Sequence, residues 1–331
     1  MSPLDQLTPM QRYLVHEFVE DYEDGLMSRR DMVSRVLHIT GGVGAAATVL
    51  TSLGVRAAAA QDASPAASPS ASMEPKSPLT VAENDPRVFA TNVTFVGADE
   101  AQVTGYQALP MDQLGEKLPL ILICHENRGL TEHIRDVARR FAVEGYLALA
   151  VDLLSREGGT DAIEDPSEIP ALLTEGDMNR HVADFQAVLT HYGTSGEADL
   201  ERVGMTGFCF GGGITWRAAT QIPELKAAVA WYGPPPPLED VPNISAAVLG
   251  IYSDDPDDFA NEGRDELEAA LQEAGVTYEI KVYPDTQHAF HNDTGQRYNE
   301  EQALVAWQDT LDWFSQYLAA GGPTPEATPE G

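Results

Sequence analysis

The chain has 331 residues, enough for one large domain with an ample core plus extensions. Its 52 Asp and Glu against 20 Lys and Arg give a formal net charge of −32, which repels nucleic-acid phosphates and anionic lipid alike and excludes nucleic acid as a partner. With only two cysteines, Cys124 and Cys209, no disulfide framework is expected.

In chain order, the first feature is "TPMQRYLVHEFVEDYEDG", a short amphipathic helix by its spacing, with Met10, Tyr13, Leu14, Val15 and Phe18 on one side. "SRRDMV" (Ser28 to Val33) then precedes a weakly apolar, small-residue run from Val36 to Val55 and an Ala-x-Ala site ending near Ala60. This order reads as a twin-arginine export signal over residues 1–60. An uncleaved membrane anchor is the rival, but glycines, threonines and His38 make the run a poor span. Residues 61–85 are a Ser/Ala/Pro mixture that buries too little apolar surface to offset its ordering entropy, and residues 321–331 read the same way. The folded unit is therefore expected over 86–320. Residues 1–60 hold five of the cations and seven of the anions, so the acidity belongs to that unit.

Phe89–Val96 and Gln102–Leu109 alternate and open the domain as an antiparallel pair. "LPLILICHE", "YLALAVDLL", "VGMTGF", "KAAVAWYG", "AAVLGIYS" and "YEIKVYP" are short apolar runs suited to strands covered on both faces. Helical periodicity separates them at Ile134–Glu144, Met178–Tyr192, Glu266–Ala274 and Gln302–Leu318. The fold class is α/β, a doubly wound and mostly parallel sheet with helices on both faces, whose chemistry gathers at the carboxyl ends of the strands.

In "GFCFG", Cys209 follows a strand and precedes a helix, the context of a nucleophile elbow, where tiny residues at Gly207 and Gly211 let the two backbones nearly touch. The helix N-terminus favours thiolate there. Cys124, inside its strand, reads as a buried inert thiol. A thiol nucleophile needs a base and an orienting acid, in the chain order nucleophile, acid, histidine. His288 in "YPDTQHAFHN" follows the last strand and is the base, with His291 its rival. The acid falls in "DDPDDFANEG". Counting back from the next helix favours Asp257, and counting forward from Tyr252 favours Asp255. Asp257 is taken as the acid, with Asp254, Asp255 and Asp258 open.

Together, "CHENRGL", "VDLLSR", "GFCFGG" and "YPDTQHAFHN" resemble the dienelactone hydrolase family of α/β-hydrolases over residues 86–318. The resemblance implies the α/β-hydrolase fold, a glutamate at Glu126 that helps the thiol ionise, and an oxyanion hole from the backbone N–H groups of Asn127 and Phe210, with His125 supporting that loop. It also implies two arginines on the substrate carboxylate. Arg156 matches one, whereas the other position holds Asn292, which leaves the clamp incomplete unless Arg297 substitutes.

The sequence thus points to an exported carboxylic ester hydrolase that cleaves a small ester or lactone through an acyl-enzyme on Cys209, without metal or organic cofactor. It is expected to act as a monomer on a small-molecule substrate, with no stable membrane insertion after signal removal. The alternatives are an esterase acting on extracellular polysaccharide, polyester or aryl esters, and an inactive secreted binding protein that kept the fold.

Overall fold

The protein, described by a computed structural model at residues 4, 7, 9–23, 25, 27–40, 43–53, 55, 75–175 and 177–320, divides into two units. One is Met1–Glu74 with Pro170–Thr174; the other is Pro75–Ile169 with Glu175–Gly331.

The first unit is built on α1 (Pro9–Glu23), α2 (Arg29–Thr40) and α3 (Val43–Ser52). Their apolar faces share a core of Val15, Phe18 and Val19 from α1, Met32 and Val36 from α2, and Ala46, Val49 and Leu50 from α3. The arginine pair opens α2. Ser28 caps that helix, its hydroxyl accepting from the Asp31 N–H at 3.2 Å and donating to the Asp31 carboxylate. No helix among the described residues is long and apolar enough to cross a membrane. The site read near Ala60, residues 61–74 and the tail 321–331 lie outside the described residues.

The second unit carries one eight-stranded sheet. Its strands are β1 (Val88–Val96), β2 (Gln102–Pro110), β3 (Leu118–Cys124), β4 (Leu147–Asp152), β5 (Ala198–Phe208), β6 (Leu225–Trp231), β7 (Ala247–Ser253) and β8 (Tyr278–Tyr283). The order is β1-β2-β4-β3-β5-β6-β7-β8. β1 and β2 form the expected antiparallel hairpin, β2 pairs antiparallel with β4, and every pair from β4 to β8 is parallel. Leu120 to Cys124 and Leu147 to Val151 are fully buried, as strands covered on both faces require.

Between the strands run α4 (Glu132–Val143), α6 (Met178–Ser195), α7 (Phe210–Gln221), α8 (Arg264–Ala274) and, last, α9 (Glu300–Tyr317); the short α5 (Ile169–Thr174) falls mainly in the first unit. Asp177 caps α6 through the Asn179 N–H, and Gly196, in the left-handed region, ends it. The chain leaves β3 toward β4 on one side and returns to β5 on the other. Strand order therefore reverses between β3 and β5, the point where open α/β sheets place their ligands.

Residues 75–85, the end of the stretch read as linker, are held on the second unit. Asp136 accepts the Val81 N–H at 2.7 Å, the Arg139 Nε–H donates to the Val81 carbonyl at 2.6 Å, and Asp293 accepts the Ser77 N–H at 3.2 Å.

At the end of β5 the packing leaves no room for a side chain. A Cβ on Gly207 would stand 2.2 Å from the Gly211 carbonyl oxygen, and one on Gly211 would stand 2.4 Å from that of Cys124. Because the obstruction is backbone, Gly207→Ala is expected to destabilise the protein by about 1–3 kcal/mol or more. The urea unfolding midpoint measures this, and a midpoint equal to the parent's would contradict the packing.

Candidate active site

Cys209 sits between the last residue of β5 and the first of α7 with φ +55° and ψ −116°, a conformation that costs a non-glycine residue about 1–3 kcal/mol. Neighbouring backbone holds it there: its N–H donates to the Trp231 carbonyl at 3.0 Å, and its own carbonyl accepts from Gly213 at 3.2 Å. Cys209 is the N-cap of α7, whose first N–H groups lack intrahelical partners and favour negative charge at that end of the helix. Cys209 is buried, and its Sγ lies within 4.8 Å of a ring nitrogen of His288. Cys124 is also buried, and burial pushes its thiol up, as expected of an inert core thiol.

His288 Nδ1 bonds Asp258 Oδ1 at 2.9 Å, with both side chains buried. The carboxylate on this imidazole is therefore Asp258, and the choice of Asp257 is corrected: Asp257 is exposed. The loop turns once more than a count of residues reveals. Asp255 closes that turn, its side chain accepting the Asp257 N–H and its carbonyl the Asp258 N–H. Asp258 is thereby swung inward, where it also accepts from Ser253 Oγ at 2.5 Å and caps the single helical turn 259–261 through the Ala260 N–H. Burial alone would raise the pKa of Asp258, but the charge and hydrogen bond of His288, with the Ser253 and Ala260 bonds, hold it below the ordinary value. Asp254 has another task. It accepts from the Asp285 and Thr286 N–H groups and ties the His288 loop to β7.

Glu126 and Asn127 follow β3, on the strand beside β5. Both are buried, and Glu126 Oε2 accepts from Asn292 Nδ2 at 2.7 Å. His125 supports the loop as expected: its Nε2 accepts the Leu153 N–H at 3.2 Å, so Nδ1 carries the proton and donates to the Glu126 carbonyl at 2.7 Å. Burial lowers its pKa, which keeps the ring neutral. Phe210, the other oxyanion candidate, is the first residue of α7 and therefore has one of that helix's unpartnered positions.

The expected substrate contact of Arg156 is not what the structure shows. Its guanidinium grips the buried Asp184 of α6 through both terminal nitrogens, at 2.6 and 3.0 Å, and donates to the Ala98 carbonyl in the β1–β2 turn. Asn292 likewise spends its amide on Glu126.

His291 is excluded as the base by its surroundings. It is buried among Phe208, Trp231 and Trp307, and burial, followed by the charges of His133 and Arg140, drives its pKa well below the ordinary value. The roles of Asp293 with its two partners, and of Tyr232, escaped the sequence reading. His133 of α4 binds Asp293 at 2.8 Å, and Arg140 binds the other Asp293 oxygen at 2.8 Å, so the loop after His288 is anchored from beneath. Tyr232, directly after β6, has its ring 5.1 Å from that of His288 and φ +38°.

The geometry is thus a buried thiol on a strained turn, an imidazole within 4.8 Å and a carboxylate on that imidazole, all at the carboxyl ends of parallel strands. Residues 103–318 match the Dienelactone hydrolase family. The chain belongs to that family. It is 37% identical over 264 residues to the "Putative carboxymethylenebutenolidase" of Salmonella typhi, covering 76% of this chain and 94% of that one. To the protein of the same name in Escherichia coli K12 it is 35% identical with the same coverage. The crystal structure of a "Putative Dienelactone Hydrolase" from Klebsiella pneumoniae superposes with a TM-score of 0.64 at 34% identity, over 70% of this chain and 99% of that one. The protein is therefore a dienelactone-hydrolase-like hydrolase with the α/β-hydrolase fold.

Asp293 supplies a test of the network beneath the site. Burial would raise its pKa, but the hydrogen bond and charge of His133 and the charge of Arg140 hold it well below the ordinary 3.8. A carboxylate depressed in the folded state contributes stability that is complete above its unfolded value and is lost as pH falls toward the folded one. Parent stability should therefore decline as pH drops below about 4. In Asp293→Asn the loss between pH 5 and pH 2 should be smaller, read as the shift in urea midpoint; an equal loss would show that Asp293 does not supply this acid limb.

Proposed function

We propose that this is an exported hydrolase that cleaves small, uncharged esters or lactones through Cys209, His288 and Asp258. The observation that carries the reading is the Asp258–His288 bond next to a thiol held at the elbow. By accepting a hydrogen bond from Nδ1–H, Asp258 keeps the proton on that nitrogen and leaves Nε2 as the base. His288 removes the thiol proton as sulfur attacks the carbonyl carbon, and the oxyanion that forms is met by the backbone N–H groups of Phe210 and Asn127. Collapse breaks the bond to the leaving oxygen, which takes the proton from His288 and leaves a thioester on Cys209. Water, deprotonated by His288, attacks that thioester and releases the carboxylic acid and the thiol. Glu126, buried beside this centre, is assigned to help the thiol ionise.

The substrate class follows from the cations. Arg156 is committed to a buried aspartate and Asn292 to Glu126, so neither position of the implied clamp offers a substrate carboxylate a charged donor. Freeing Arg156 would leave Asp184 buried without its partner, a cost of about 3–5 kcal/mol. An uncharged ester fits such a site better than an anionic one. Export rests on the sequence: the arginine pair, the small-residue run and the Ala-x-Ala site. The N-terminus of the secreted protein tests it, and a mature chain starting near Met1 would remove it.

Cys209→Ala should abolish turnover of 4-nitrophenyl acetate, and a variant as fast as the parent would end the mechanism. Asp258→Asn is expected to lower kcat by about 10³–10⁴-fold by presenting the wrong tautomer, whereas Asp257→Asn leaves it within about twofold. Equal losses at both positions would return the acid to the open loop. For substrate charge, kcat/KM for 4-nitrophenyl hexanoate should exceed that for mono-4-nitrophenyl adipate by about tenfold or more, since the adipate carboxylate meets no free charged donor at Arg156 or Asn292. A faster adipate ester would contradict it.

A further inference from the structure

Tyr232, near the thiol, has a conformation and a burial that no role described above accounts for. It follows β6 directly and holds φ at +38°, a region that bulky residues avoid and that persists where surrounding structure enforces it. The enforcement is visible: its N–H donates to the Ile251 carbonyl at 2.7 Å, and the next residue, Gly233, packs so closely on α7 that a Cβ there would stand 2.2 Å from the Gly212 carbonyl carbon. The ring is fully buried between His288, Phe208 and Phe290. Its hydroxyl has no hydrogen-bond partner among the described residues, although Glu126 and Cys209 are near enough for their charges to act on it. Burial first, then those charges, push the phenol's pKa well up against the opposing Arg297, so the oxygen keeps its proton and is a donor. Glu126 Oε1 is likewise without a partner among the described residues. A buried hydroxyl left unbonded is destabilising, and an acceptor that arrives with the substrate would account for one retained beside a nucleophile.

We propose that Tyr232 is a further catalytic residue, its hydroxyl donating a hydrogen bond to an oxygen of the ester or lactone group bound at Cys209. No proton is transferred: the phenol keeps its hydrogen throughout, and the bond adds to those of the two backbone donors. The proposal rests on the ester-hydrolase reading above.

Tyr232→Phe tests it, because the change deletes one oxygen and preserves the ring packing. Three measurements on the full chain are made together. The kcat/KM for 4-nitrophenyl acetate should fall by roughly 10- to 100-fold. The urea midpoint should stay level or rise, since a buried unbonded group has been removed. Alkylation of Cys209 by iodoacetamide should keep the parent's pH dependence, showing the thiol and imidazole undisturbed. A kcat/KM within twofold of the parent overturns the proposal. So does a fall in turnover matched by a lower midpoint and an altered alkylation profile, which marks Tyr232 as structural only. A parent that turns over no ester at all overturns the ester-hydrolase reading, and this assignment with it. Parent activity lost in Cys209→Ala but intact in Tyr232→Phe overturns this assignment alone.

Discussion

Backbone pressed against backbone at the start of α7 is the constraint on which the rest of the site depends. Gly207 meets Gly211, Gly211 meets the carbonyls of Cys124 and His125, and Gly212 meets the Trp231 carbonyl and Gly233. These contacts leave no space for even one methyl group, so the helix N-terminus is seated directly on the carboxyl ends of β3, β5 and β6. Cys209 then has nowhere to go but the tip of the turn, with the positive end of the helix behind it. The Glu126 loop reaches the same place because β3 lies beside β5 in register, Cys124 opposite Gly207.

Carboxylates complete the site by dividing the work of holding one loop. Residues 284–299 carry His288 but belong to no strand or helix, and a loop without such order positions a base poorly. Here Asp254 holds its start, Asp258 its imidazole, and Asp293, fixed by His133 and Arg140, its underside. Glu126 grips Asn292 between them. Each buried carboxylate in this set has charged or N–H partners, which is the condition under which burial of an acid is tolerated. The acidity of the folded part thus has an internal share as well as a surface one.

How far the sequence was legible follows from the range over which each feature is decided. Strands and helices were readable because apolar periodicity is local; β5 proved longer than "VGMTGF", since Asp199, Glu201 and Arg202 interrupt the apolar pattern in its first half. The elbow was readable because glycines at fixed spacing are demanded by sterics. Asp258 was not separable from Asp257 by counting, since an Asx turn at Asp255 rotates the loop, although only Asp258 precedes a buried apolar pair, Phe259 and Ala260. Arg156 was misplaced for another reason. A long side chain points where its partner is, and Asp184 lies 28 residues away. Residues 75–85 show no apolar pattern, yet Asp136, Arg139 and Asp293 hold their backbone, and no composition reveals such partners.

Two residues in this unit carry a substantial side chain at positive φ immediately after a strand of the parallel sheet, Cys209 after β5 and Tyr232 after β6. Each sends its N–H to the next strand over: Cys209 to Trp231 of β6, Tyr232 to Ile251 of β7. The two strained turns therefore extend the sheet's own hydrogen bonding by one step beyond its regular edge. The stiffness that offsets their conformational cost comes from the ladder beneath them, whose strands are buried on both faces and resist displacement. A loop could not hold either residue so firmly. Strain of this kind belongs at the strand ends, and in this protein the strand ends are where the thiol, the imidazole and the phenol come together.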